Sequence, residues 1–179
     1  MAYNTCMERR CNMADFGKSC CFTGHRPQKL PWKYDENDIR CIEFKENLSA
    51  VINAVYESGI THFICGMALG CDMYCAEAVI ELKKLHPDIT LEAAVPYDGQ
   101  ESKWAEVSRR RYRSILMHCD KTTLIQDTYT PGCMMRRNRY MVDSANVLIA
   151  CYDGKSGGTW NTIEYAIKLD KEVIQLPIE

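Results

Sequence analysis

Six short apolar runs rich in β-branched residues alternate along the chain with amphipathic stretches of helical period. No other feature constrains the fold as much. A run that is apolar on both of its alternating faces must be covered twice, and covering helices between successive runs produce a parallel sheet. The runs are Cys20 to Thr23, Thr61 to Cys65, Ile89 to Val95, Thr122 to Gln126, Val147 to Cys151 and Val173 to Leu176. The expected architecture is α/β: a Rossmann-like, doubly wound, mainly parallel sheet of about six strands with helices on both faces.

The helices follow from spacing. Cys41, Phe44, Leu48, Val51, Ile52 and Val55 recur at three and four residues after Asn37 and Asp38, which are good helix starters. Met73, Ala76, Val79, Ile80 and Leu85 mark a second helix, stopped by Pro87. Trp104, Val107, Arg111, Ile115 and Cys119 suggest a third, after the loop from Pro96 to Gly99. A fourth runs from about Cys133 to Ser144. Thr159 is expected to cap the last helix, with Trp160, Ile163, Ala166 and Ile167 as its core face. No repeat or linker interrupts this order, so residues 19–179 read as one domain, with residues 1–18 as a poorly ordered N-terminal extension.

Composition narrows the function classes. A net charge of -2, from 22 Lys plus Arg against 24 Asp plus Glu, creates no global field for phosphate backbones or anionic lipid, so nucleic acid is not expected as a partner. The longest apolar runs, such as residues 146–151, fall far short of the roughly 20 residues of a membrane helix. The first twenty residues lack the apolar stretch of a secretory signal, so no membrane partner and a cytoplasmic location are expected. Eleven cysteines would suggest disulfides in a secreted chain. Here Cys20, Cys21, Cys65 and Cys151 lie in or at the ends of strand-like runs, and Cys41 and Cys75 fall on apolar helix faces, so they read as small core residues. Neither Cys6, Cys11, Cys20 and Cys21 nor Cys65, Cys71 and Cys75 has paired metal-ligand spacing, and no metal is expected.

Ligands of open α/β sheets bind beyond the carboxyl ends of the strands, which directs attention to the turns after each run. After strand one come Thr23, Gly24, His25 and Arg26, a tight turn carrying donors for an anion. After strand two come Gly66, Met67, Ala68, Gly70 and Asp72, where two glycines flank a helix entrance and leave its amides open to phosphate. After strand five come Asp153, Gly154, Gly157, Gly158 and Thr159, again entering a helix, with Glu164 one turn inside. Neither glycine pattern is a dinucleotide fingerprint or a Walker loop.

The strings FTGHRP, GMALGCD, RNRYMVDSANVLIACYDG and SGGTWNTIEYA, in this order, resemble the YpsA-like family of the SLOG superfamily, which also holds LOG-type phosphoribohydrolases and DprA. The resemblance covers about residues 20 to 178. It implies a Rossmann-like fold and a nucleotide or nucleotide-sugar ligand, such as a nucleoside monophosphate, NAD or ADP-ribose, with no other cofactor, in a sensor or regulator. LOG enzymes cleave an N-glycosidic bond with an Arg and the Glu ending a PGGxGTxxE motif. The corresponding stretch from Ser156 to Glu164 keeps the double glycine and the Glu, while Ser156 replaces the Pro and Trp160 the third Gly. Glu164 is thereby a candidate catalytic carboxylate, and Arg139, two residues before Met141, is the best match to the Arg, with Arg136 and Arg137 as competitors. DprA-like single-stranded DNA binding is the third reading, hinted at by Arg109, Arg110, Arg111 and Arg113, though without aromatic interleaving. A homo-oligomer is left open.

Overall fold

The computed structural model describes residues 19–179; the N-terminal extension of residues 1–18 lies outside them. Six strands, β1 (Ser19–Gly24), β2 (His62–Cys65), β3 (Thr90–Val95), β4 (Lys121–Leu124), β5 (Val147–Tyr152) and β6 (Glu172–Pro177), form one sheet of order β4-β3-β2-β1-β5-β6. Every neighbouring pair is parallel. Strand order reverses at β1: successive strands add outward to β4 on one side, and β5 and β6 lie on the other. The crevice between β1 and β5 is therefore a topological switch point, the general position of ligand sites in such sheets.

Two-residue alternation divides the strand side chains between two cores. Cys20, Phe22, Phe63, Cys65, Leu91 and Ile149 face a larger cluster covered by helices α1 (Ile39–Glu57), α2 (Cys71–Leu85) and α3 (Glu106–His118). Cys21, Ile64, Ala94, Leu148 and Ala150 face a smaller one under α4 (Cys133–Asp143) and α5 (Gly158–Lys168). The Asp38 carboxylate caps α1 by accepting from the Arg40 amide at 2.9 Å. Cys41, Phe44, Leu48, Ile52 and Val55 are buried as their spacing predicts, and the six cysteines assigned to packing are all buried.

Some details differ from what the sequence predicts, among them Leu85, 76% exposed at the end of α2. Gly157, not Thr159, is the N-cap of α5; Thr159 lies inside the first turn and its hydroxyl turns to His25 instead. Ile167 is 53% exposed, because the core face of α5 runs through Thr159, Thr162, Ile163 and Ala166. Val107 is 78% exposed, and α3 packs instead through Tyr112 and Ile115, with Trp104 edge-on to Tyr112 at 5.5 Å. In both helices the outward residue sits one step off the stripe that meets the sheet.

One polar cluster interrupts the smaller core. The Glu92 carboxylate, on β3, accepts from Thr123 Oγ1 at 2.6 Å, Tyr140 OH at 2.5 Å and Lys121 Nζ at 3.1 Å, and lies 3.1 Å from His62 Nε2. Burial pushes its pKa up, but these partners outweigh burial and hold it down at about 2. Among the described residues, no helix is long and apolar enough to cross a membrane.

Candidate functional site

The turn after β1 and the glycine-rich turns after β2 and β5 leave parallel strands at the same edge, and the β1 and β5 turns border the switch point. Between them lies a polar pocket of about 330 Å³. Of the residues expected there, Thr23, Gly24, His25 and Arg26 line it from β1, Ala68 and Asp72 from the β2 turn, and Gly158 and Thr159 from α5. Arg137 and Asn138 of α4 close its wall, with Lys29 at the rim.

Arg137 is the residue with the most unusual environment. Its side chain is 5% exposed, and its Nη1 has no hydrogen-bond partner among the described residues. The nearest countercharge is Asp72 Oδ2 at 3.8 Å, too far for a hydrogen bond, while Nε donates to Asn138 Oδ1 at 2.8 Å. Asp72 Oδ2 accepts from the Ala68 amide at 3.1 Å. Burial pushes the Asp72 carboxyl above its ordinary pKa against the pull of Arg137, and pulls the Arg137 guanidinium below its own against Asp72. Desolvation outweighs attraction for both partners, which fits the long separation; an arginine stays protonated regardless. Such a guanidinium, desolvated and short of an acceptor beside an open pocket, is poised for an anion.

The backbone is shaped around this pair. A Cβ at Gly66 would lie 2.4 Å from Arg137 Nη1 and 2.7 Å from Asp72 Oδ2, so only glycine allows the approach. Gly70, at φ +90°, is the N-cap of α2, and a Cβ there would lie 2.6 Å from the His25 carbonyl oxygen. Met67 also has a positive φ, 59°, yet its side chain is fully buried in the larger core rather than facing the pocket. On the β5 side, His25 Nε2 lies 2.7 Å from Asp153 Oδ1, and Thr159 Oγ1 lies 3.3 Å from His25 Nδ1. Burial pushes the Asp153 carboxyl up, but His25 and the Lys155 amide hold it down at about 2. Asp153 therefore stands behind His25 rather than in the pocket wall, and Gly154 and Gly157, both at positive φ, lie in the loop from β5 to α5 rather than in the wall.

Glu164 and Arg139 lie elsewhere. Both line a second, more apolar groove of about 490 Å³ between α4 and α5, beside Met135 and Tyr165. The Arg139 guanidinium sits 5.5 Å from the Tyr165 ring centre. The two cavities share Met134, Asn138 and Gly158, so they adjoin along α4. Of the arginines named from the sequence, Arg26 and Arg137 line the pocket between β1 and β5, and Arg139 lines the neighbouring groove. The Arg109 to Arg111 run is largely neutralised: Arg109 and Arg110 pair with Glu106, and Arg111 with Glu36 and Glu77.

A parallel sheet of this order with glycine-rich helix entrances at its switch point defines a Rossmann-like domain. The YpsA family profile, described as the YspA SLOG family, matches residues 20–179, and the chain belongs to that family. It is 31% identical over 140 residues to the SPbeta prophage-derived protein YoqJ of Bacillus subtilis, covering 71% of this chain and 82% of YoqJ. A UPF0398 protein of Halalkalibacterium halodurans is 31% identical over 139 residues, covering 76% of this chain and 73% of that one. Among solved structures, DNA processing protein A of Helicobacter pylori, described for its single-stranded DNA binding mode, matches with TM-score 0.60 at 17% identity, over 93% of this chain and 68% of that one. DprA of Streptococcus pneumoniae matches with TM-score 0.61 at 16% identity, over 92% of this chain and about half, 52%, of its own.

Proposed function

We propose that this protein binds a nucleotide-derived ligand, a nucleoside monophosphate, NAD or an ADP-ribose-like molecule, with a phosphate in the pocket between β1 and β5. The observation that carries this reading is the unpartnered, buried Arg137 Nη1 beside that pocket. Arg26 and Lys29 at the rim and the first amides of α5 add positive potential from three sides. The adjoining α4–α5 groove has the size and apolar lining to take the rest of such a ligand, and it holds Glu164, the carboxylate an N-glycosidase would use. Calorimetric titration with AMP, NAD and ADP-ribose tests the reading, with released base followed in the same samples. Binding lost in Arg137→Met supports it; unchanged affinity in that variant places the ligand elsewhere. Base released by the wild-type protein and not by Glu164→Gln would make it a phosphoribohydrolase.

The fold shared with DprA favours a second reading, single-stranded DNA, whose phosphates the same cationic wall would contact. Strongly salt-dependent binding to an oligonucleotide, uncompeted by mononucleotides, would favour that reading.

A further inference from the structure

The three side chains His25, Asp153 and Thr159 form an ordered chain of hydrogen bonds that anion binding alone does not require. Asp153 is ionised above a pH of about 2, so it can only accept, and His25 Nε2 must carry the proton shared across their 2.7 Å contact. In the neutral imidazole Nδ1 is then an acceptor, and the Thr159 hydroxyl, 3.3 Å away, donates to it. That donation turns the Oγ lone pairs away from His25. Thr159, in the first turn of α5, and His25, just after β1, both line the polar pocket, whose wall also holds Arg137 with its Nη1 free of a hydrogen-bond partner among the described residues. A nucleophile bonded to a base, with the base oriented by a carboxylate, is the geometric signature of covalent catalysis.

We propose that Thr159, His25 and Asp153 form a nucleophilic relay that takes a phosphoryl group from a phosphoric anhydride and passes it to water. The proposal rests on the reading of this pocket as a phosphate site. In the first half, the Oγ–P bond forms as the bridging P–O bond breaks, and the bridging electron pair leaves with the departing phosphate. The hydroxyl proton passes to His25 Nδ1, and Asp153 stabilises the imidazolium. Arg137 and the α5 amides hold the non-bridging oxygens, where charge accumulates. In the second half, water attacks phosphorus and the Oγ–P bond breaks. His25 returns its proton to Oγ, and the proton of the water leaves with the phosphate.

A small fluorophosphonate reports the first half directly, since fluoride replaces the departing phosphate and the adduct is permanent. One adduct per chain on Thr159, located by tandem mass spectrometry, is expected. The rate should fall at least about tenfold in His25→Asn and in Asp153→Asn, as expected for loss of base assistance. Thr159→Ser should still be labelled and Thr159→Val should not. Urea unfolding of each variant shows that it is folded, and a merely structural tie would leave the labelling rate of folded variants unchanged. No adduct on Thr159 of the wild-type protein, or equal rates in folded His25→Asn, would overturn the relay. Inorganic phosphate and AMP should slow labelling. Labelling of Thr159 that neither slows would keep the nucleophile but refute the phosphate site, and with it both the phosphoryl substrate and the binding reading above.

Discussion

Replacing Arg137 by Met separates what this side chain does for stability from what it does for the pocket. Met matches the aliphatic stem and removes the guanidinium, leaving the Asp72 carboxylate, 7% exposed, with one hydrogen bond and only the more distant charge of Arg26. Breaking a buried pair by deleting one partner costs about 3–5 kcal/mol. The 3.8 Å separation places this pair at the low end, about 3 kcal/mol, or roughly 6–12 °C in Tm for a chain of this length. The sign of the pH dependence follows from Asp72. Its folded pKa is already raised by burial, so its contribution favours the folded state below its unfolded pKa and is lost as pH rises through the folded value. Removing Arg137 raises the folded value further and carries that loss to higher pH. Urea unfolding at pH 5 and pH 8 should therefore show a larger deficit for Arg137→Met at pH 8. Adding Asp72→Asn should recover most of it, because the orphaned charge is gone, while affinity for AMP stays low. An Arg137→Met protein as stable as wild type at both pH values, or a double variant no better than the single, would refute the account of this pair.

Glu92, held at a pKa of about 2, contributes stability that is present above the ordinary glutamate value and lost as pH falls towards 2; Glu92→Gln should lower the unfolding free energy at pH 7 and flatten its fall between about pH 4.5 and 2 in an acid titration followed by circular dichroism. Gly70→Ala puts a Cβ at positive φ against the His25 carbonyl and should cost about 1–3 kcal/mol in urea unfolding, with weakened AMP binding, because the turn that sets the α2 entrance must shift; unaltered stability would mean that the turn tolerates a side chain.

The sheet was legible because its signal is redundant. Every strand but the edge strand β4, which reads Lys-Thr-Thr-Leu, is announced by an apolar run and each connection by a helical period, and right-handed parallel crossovers leave few ways to assemble them. The errors fall where one residue carried the assignment. Thr159 is a good capping residue by type, but glycines precede it and His25 competes for its hydroxyl, so the backbone of Gly157 takes the cap. Val107 and Ile167 are apolar residues whose helical phase sets them beside the buried stripe, and an apolar residue on a surface needs no partner. The two adjoining cavities were not separable from motifs at all, because the division depends on how α4 lies across α5.

The choice of arginine, by contrast, was present in the sequence as phase. In α4 the buried residues Cys133, Arg137 and Met141 recur every four positions, and Val142 extends the same face. At 100° per residue, Arg137 falls between two core residues one turn away on either side, whereas Arg139 is rotated about 200° from it and faces the groove. Position within the motif singles out Arg139; helical phase shows which arginine is buried, Arg137. An arginine on the apolar stripe of a helix has to be buried, and burial demands an acceptor. Asp72, one turn from the glycines of the β2 loop, offers one only at 3.8 Å. The incomplete pairing is therefore not a packing accident at the edge of a core. It sits at the switch point of the sheet, where an incoming anion would accept the free hydrogen bond of Arg137 Nη1.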